Sequence, residues 1–366
     1  MRKANSLLLF PLLCSSSQLS PAPAYYPRLA PLHLAGGASA VGAVIESPTA
    51  SLRRLVFLAA PSPAGPWSNA SVVASAAAGA GDVDLGNGFL FQAANGSLLC
   101  AYRHHDGAAP SRVFRIQLAS SHDFGASWGF AATIAAGALG VWEPFVFAAG
   151  GALLAAYSAE LPAAGGRAEQ DVVLQRSADG GGTWGAVSSR VHTDGSRNGM
   201  PGVAALPDGS LLLVFEGFWS GVWGAFTVNS ARSFDGGATW AQRRVVHAPP
   251  VPRAANAGSP QVAWCRARGA ACAVFMSSEG GGAAGGSWPA GAHAALLCAP
   301  LDAANASAPI DWARGGAPAT VAAVTRFIFW PSFIAAQGGV SVAYQGDDGA
   351  AYVGGSDACA AARNVN

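Results

Sequence analysis

Ser177-Ala-Asp179-Gly-Gly181-Gly-Thr-Trp184 decides the reading of this chain, because it is one of three copies. Ser121-His-Asp123-Phe-Gly125-Ala-Ser-Trp128 precedes it by 56 residues, and Ser233-Phe-Asp235-Gly-Gly237-Ala-Thr-Trp240 follows it by 56. The shared form is S-x-D-x-G-x-x-W. An Asp and a Gly so spaced make a tight turn: the carboxylate accepts local backbone N–H groups, and Gly supplies the positive φ. The Trp then fills the apolar layer beside the turn. This chemistry is that of a hairpin staple, so Asp123, Asp179 and Asp235 are read as structural and not catalytic.

Outward from these turns a second repeat runs in phase. Apolar runs split by a Gly turn start at Gly88, Pro144, Pro201, Pro260 and Pro331, at intervals of 56, 57, 59 and 71 residues. The third copy, for example, pairs Pro201-Gly-Val-Ala-Ala-Leu206 with Gly209-Ser-Leu-Leu-Leu-Val-Phe215. A weaker copy at Val41-Gly42-Ala-Val-Ile45, followed by Leu52–Leu58, brings the number to six. Units of this length, each with several short strands and a tight hairpin, describe an all-β, six-bladed β-propeller. No segment sustains an amphipathic helical period, which argues against a barrel or doubly wound α/β fold. The repeat makes residues 26–366 one ring-shaped domain. Because the chain ends soon after Tyr352-Val-Gly-Gly355, an N-terminal strand is expected to complete the last blade.

The composition narrows the function. Only 11% of the 366 residues are charged, and the net charge is +1, which gives no footprint for nucleic acid or an anionic membrane. With 51% hydrophobic residues and 11 Trp the chain is not disordered. Twenty Arg against the single Lys3 point to GC-rich coding, which also inflates Gly and Ala. Met1-Arg2-Lys3 and the apolar Leu7–Cys14 predict a secretory signal over residues 1–25, and so an extracellular protein. The apolar run is too short to span a bilayer. Cys265 and Cys272 flank a turn and are candidates to pair across a hairpin, and no cysteine or histidine spacing fits zinc. Asn69, Asn95 and Asn305 open N-x-S triplets. A monomer is expected, with no cofactor and no metal.

Strand direction then selects candidate site residues. In each blade the start of strand one and the end of strand two share one face, opposite the S-x-D-x-G turns. That mouth collects Asn87, Trp142, Glu143, Arg197, Asn198 and Trp330 before the anchors. It collects Arg103, His104, His105, Asp106, Glu216, Trp219 and Tyr344 around the ends of the second strands. Glu143 and Glu216 stand out in apolar surroundings, Val141-Trp-Glu-Pro-Phe145 and Val214-Phe-Glu-Gly-Phe-Trp219, where burial raises a carboxyl pKa. Two such carboxyls are what glycosidic cleavage needs: one protonates the leaving oxygen, and the other attacks or activates water. The tryptophans offer faces for sugar stacking, and the Arg, His, Asp and Asn residues offer hydrogen bonds to an oligo- or polysaccharide. Adjacent His104 and His105 point to opposite sides of a strand, which disfavours a metal site.

The three turns resemble the Asp-boxes of the sialidase-like six-bladed propellers, over roughly residues 30–360. Within that group Asp84-Leu-Gly-Asn-Gly88, Ala101-Tyr-Arg-His-His-Asp106, Trp142-Glu-Pro-Phe145, Arg197-Asn-Gly-Met-Pro201 and Val214-Phe-Glu216 are most similar to glycoside hydrolase family 93. The resemblance implies a retaining exo-arabinanase that releases arabinobiose from α-1,5-arabinan, with Glu143 as acid/base and Glu216 as nucleophile. One alternative is a sialidase, with three arginines around a substrate carboxylate and a Tyr nucleophile. Phe114-Arg-Ile-Gln117 is similar to that family's F-R-I-P, but it precedes an Asp-box and reads as strand three. The arginines available at the rim are Arg103 and Arg197, with Arg326 a third candidate. Another alternative is a propeller that binds carbohydrate without cutting it.

Overall fold

The computed structural model describes residues 16–356, apart from 80–82, 109, 163–168, 192–194, 220–224, 251–254, 280–287, 290, 303–304, 306, 322–324, 326 and 337–338. The described residues form twenty-four strands and two short 3-10 turns, with no α-helix among them. The first unit is β2 (Tyr25–His33), β3 (Ser39–Glu46), β4 (Leu52–Ala60) and β5 (Ser68–Ala77); the second is β6 (Asp84–Gln92), β7 (Leu98–His105), β8 (Phe114–Ser121) and β9 (Gly129–Gly137). The third is β10 (Val141–Ala149), β11 (Ala152–Glu160), β12 (Gln170–Ser177) and β13 (Val187–Val191); the fourth is β14 (Ser196–Ala205), β15 (Leu211–Trp219), β16 (Phe226–Ser233) and β17 (Ala241–His247). The fifth is β18 (Ala257–Cys265), β19 (Ala270–Ser277), β20 (His293–Pro300) and β21 (Ala319–Thr320). β22 (Ile328–Ala336), β23 (Gly339–Gly346) and β24 (Ala351–Ser356) make the sixth, which β1 (Ser16–Ser20) completes from the other end of the chain.

Each unit is an antiparallel meander. The third and fourth also join edge to edge through one parallel pair, Gln170 with Arg197. The first strands contact one another in a closed cycle, β2 to β6, β10, β14, β18, β22 and back to β2, so the units ring a common axis as a β-propeller. Both faces of each sheet are covered by neighbours. Strands therefore read as continuous apolar runs and not as alternating ones: every residue of Ala270–Ser277 is buried. The core is a set of apolar layers between adjacent sheets, such as Leu32, Val44 and Phe57 of the first unit against Leu90, Leu98 and Tyr102 of the second.

Three sequence expectations change here. Ser16–Ser20 lies within the segment 1–25 read as a secretory signal, yet it pairs with β24 and closes the ring, so the described domain begins at Ser16 and not at 26. The weak first copy of the repeat is one strand late: Val41–Ile45 belongs to the second strand of its unit, and the first strand is Tyr25–His33. Cys272 bonds to Cys298 and not to Cys265, because Cys272 and Cys298 are direct cross-strand partners whereas Cys265 faces Ala270. Cys265 is itself engaged in a disulfide.

The Asp-boxes close the β8–β9, β12–β13 and β16–β17 connections with one shared hydrogen-bond pattern. Ser177 Oγ donates to Asp179 Oδ1 (2.7 Å) and accepts from Gly181 N (2.8 Å), while Asp179 Oδ1 accepts from Thr183 N (2.9 Å). Ser121/Asp123/Ser127 and Ser233/Asp235/Thr239 repeat it, so the seventh position of the motif is a fixed hydroxyl residue. These bonds, led by the Ser127 and Thr239 hydroxyls, hold the Asp123 and Asp235 carboxyls down at about 2. The box glycine also has a tertiary reason: a Cβ on Gly125 (φ +86°) would strike the Phe57 ring of the preceding unit.

Candidate active site

One irregularity is repeated six times and builds the mouth. Tyr26, Asn87, Glu143, Met200, Ser259 and Trp330 all have φ between +50° and +52°. Each sits at a β-bulge in the first strand of its unit, where the pairing register shifts. A non-glycine residue in this region costs about 1–3 kcal/mol, so six of them need repayment. The bulge turns its backbone N–H out of the ladder and toward the preceding unit's second strand. There, at register-equivalent positions, stand Glu46, Arg103, Ser158, Glu216, Met276 and Gln345.

Five of the six N–H groups find an acceptor on that neighbour. Asn87 N donates to Glu46 Oε1 (2.7 Å), Met200 N to Ser158 Oγ (3.1 Å) and Ser259 N to Glu216 Oε2 (2.8 Å). Trp330 N donates to Met276 Sδ and Tyr26 N to Gln345 Oε1. The sixth neighbour, Arg103, carries only donors and lies instead over the Trp142 ring, 5.5 Å from its centroid. The residue before each bulge matches this division. It is Gly where the arriving side chain is Glu or Ser (Gly86, Gly199, Gly258), and aromatic where it is Arg, Met or Gln (Trp142, Phe329, Tyr25). A Cβ on Gly86 would come within 2.6 Å of Glu46 Oε1, and one on Gly258 would meet Glu216 Oε2.

Glu143 and Glu216 come together in this frame. Glu143 Oε2 accepts from Ser158 Oγ (2.7 Å) and from Met200 N (3.3 Å). Gly199 lies between the two carboxyls: it is the cross-strand partner of Glu216, and a Cβ placed on it would be 3.6 Å from Glu143 Oε2. Withdrawal from water pushes Glu216 up to about 8, and the neighbouring Glu143 charge adds to this against the Ser259 N–H and the Arg197 charge. Both groups are half-buried, and the pair is divided: one carboxyl holds its proton at neutral pH beside one that accepts two hydrogen bonds.

The other expected residues divide between this mouth and other tasks. Asn87 and Arg103 are in it, joined to each other and, through Arg103, to Asp84 at 2.8 Å. Arg197 is in it as well, donating to Gln170 Oε1 (2.7 Å) and Glu160 Oε1 (3.3 Å). Trp330 lies 5.9 Å from Tyr26 at the rim. Trp142 packs between His105 and Phe114 as part of an inter-unit layer. Asn198 is fully buried, accepting from Ser196 Oγ and Arg243, and Tyr344 is fully buried against Tyr352. His104 turns away to Gln117, and Asp106 pairs with Arg115. His105, facing Val141 O, is held neutral by burial, its pKa lowered to about 4. The Trp219 side chain and Arg326 lie outside the described residues.

Three participants go unnamed by the sequence reading. Glu46 is the register equivalent of Glu216; its carboxyl is pushed above the usual range by burial, against the pull of Arg103. Tyr26 is buried, with the Arg28 guanidinium 3.8 Å from its ring centroid and both Glu143 and Glu46 in its field. Trp288 lies beside Glu216, its Cζ2 3.2 Å from the point a Cβ on Gly258 would occupy. A signal for Glu46 existed: Val44-Ile-Glu46 parallels Val214-Phe-Glu216. Tyr26-Pro27 likewise parallels Glu143-Pro144.

Solved structures share this architecture. An α-L-arabinanase of Penicillium chrysogenum in complex with arabinobiose superposes with a TM-score of 0.63 at 19% identity, covering 93% of this chain and 97% of that one. The family 93 α-L-arabinofuranosidase of Fusarium graminearum, also with arabinobiose, gives 0.62 at 18% identity over 94% and 96%. The NanB sialidase of Streptococcus pneumoniae gives 0.62 at 9% identity, covering 95% of this chain and 70% of that one. The chain thus has the sialidase-like propeller fold that these structures share. No family model matches the sequence, and no curated protein does.

Proposed function

We propose that this protein is a secreted, exo-acting, retaining glycoside hydrolase that cuts arabinan-like polysaccharide with Glu143 and Glu216. The observation that carries the proposal is the divided carboxyl pair, one protonated near neutrality and one held as an acceptor by Ser158 and Met200. A carboxyl that burial keeps protonated near neutrality is suited to act as the acid. The burial of Glu216, beside a Glu143 that accepts from Ser158 and Met200, therefore favours Glu216 as acid/base and Glu143 as nucleophile, the reverse of the division implied by the family resemblance. In the first step Glu143 attacks the anomeric carbon while Glu216 gives its proton to the leaving oxygen. In the second, the Glu216 carboxylate takes a proton from water, whose oxygen displaces Glu143 with net retention. Trp288, beside Glu216, supplies an apolar face for a sugar ring. The arabinobiose bound by the α-L-arabinanase and the α-L-arabinofuranosidase that share this fold supports a substrate of that class. The Cys272–Cys298 disulfide supports an oxidising compartment.

The test is hydrolysis of α-1,5-arabinan by the full chain, with proton NMR of the first-formed anomer. Retention is expected, and Glu143→Gln and Glu216→Gln should each lose about 10²–10⁴-fold in kcat. Inversion, or full activity in either variant, overturns the assignment. A sialidase reading has one observation in its favour, Tyr26 within the field of Glu143. Against it, Arg28, Arg103 and Arg197 are held by separate partners: Trp330 O, Asp84 with Asn87, and Gln170 with Glu160. A sialoside assayed alongside arabinan separates the two readings, and binding of arabinan without turnover would mark a non-catalytic propeller.

A further inference from the structure

Between the first and second units, on the mouth face, lies a cavity of about 510 Å³ whose wall includes Tyr25, Glu46, Arg53, Arg54, Asp84 and Arg112. That volume is in the range of small-molecule sites, roughly 300–1,000 Å³. In a chain with 21 basic residues among 366, three guanidinium groups on one cavity wall is a concentration of charge. We propose that this cavity is an accessory site for an anionic sugar, a uronate carboxylate or a sulfate ester carried on the polysaccharide. The proposal rests on the reading above only in taking the ligand to be a saccharide.

The charge balance favours an anion. Asp84 is already matched by Arg103 at 2.8 Å, and Glu46 is turned to the Asn87 N–H. Arg54 is anchored by donating Nε–H to Ser47 O (3.0 Å), which aligns its guanidinium without neutralising it. Arg53 is exposed and makes no hydrogen bond or ion pair within the described residues. A planar fork of N–H donors suits a carboxylate or sulfate oxygen pair. The cavity adjoins the mouth: Glu46 lines it and also accepts from the N–H of the mouth residue Asn87. Recognition here would select decorated over plain polymer.

The experiment is calorimetric titration of the full chain with three probes of equal length: a galacturonate oligomer, a sulfated neutral oligomer and the unmodified neutral oligomer. At least one anionic probe should bind about tenfold or more tightly than the neutral one and lose affinity as salt is raised. The arm that binds identifies the carboxylate or the sulfate as the recognised group. Arg53→Gln and the Arg53→Gln/Arg112→Gln double variant should weaken that probe progressively, while hydrolysis of neutral arabinan stays unchanged. Glu143→Gln should bind the anionic probe like the parent, so the accessory site is scored even if arabinan proves not to be a substrate. Equal affinity for charged and neutral probes, or undiminished binding in the double variant, overturns the proposal.

Discussion

At the scale of single residues, the carboxyl pair sets the pH behaviour. Glu216 moves from an ordinary 4.5 to about 8 in the folded protein. Between those values the folded state binds a proton that the unfolded chain has released, so stability falls as pH rises through the window. Chemical denaturation of the parent between pH 5 and 8 should show that downward slope. Glu216→Gln should flatten it, and an unchanged slope would contradict the protonated assignment. In the active protein, kcat/KM should decline above about pH 8 as the acid is lost. Glu46 is a different case at an equivalent position. Its removal by Glu46→Ala leaves the Asn87 N–H without its acceptor, and thermal melting should show a loss of about 1–3 kcal/mol.

At the scale of elements, the strand that carries a bulge is what aims a site residue. Glu143 occupies a bulge, and Glu216 meets the bulge of the next unit, so two successive units build the pair without either glutamate sitting on a loop. The glycine before a bulge is part of this device. Gly258→Ala should displace the Glu216 carboxyl, and kcat should fall while the melting temperature changes little. Gly125→Ala belongs to the opposite face and predicts the opposite outcome. It puts a Cβ at φ +86° against Phe57, so stability should drop while kcat per folded molecule is retained. The Asp-boxes were legible as sequence because the bonds among their Ser, Asp, Gly and hydroxyl positions all fall within four residues. The bulges were not: their acceptors come from the preceding unit, between 41 and 54 residues earlier for Glu46, Ser158, Glu216 and Met276.

At the scale of the molecule, the ring closes through β1 against β24. Removing residues 16–20 leaves the β24 edge unpaired and the sixth unit short of a strand. The truncated protein should melt at lower temperature and with a broader transition by differential scanning calorimetry. Unchanged melting would mean the closure contributes nothing. The strand also explains why an N-terminal boundary read from signal-like composition falls too late: Ser16–Ser20 looks like polar spacer until its partner, some 335 residues away, is in place.

The sequence by itself determined the repeat, the turn chemistry of Asp123, Asp179 and Asp235, the all-β character and the prominence of Glu143 and Glu216. Each of these is local: a turn residue's hydrogen bonds, a strand's apolar run, or a rare charge in apolar surroundings. Which neighbours share the mouth was decided by tertiary structure alone. Along a strand one step reverses the face. Arg103 therefore reaches Asn87 while His104 turns to Gln117, and Gln345 meets the Tyr26 N–H while Tyr344 is buried on Tyr352. The bulges that set this register, and the cross-unit contacts that bring in Glu46, Tyr26 and Trp288, exist only once the sheets pack around a common axis.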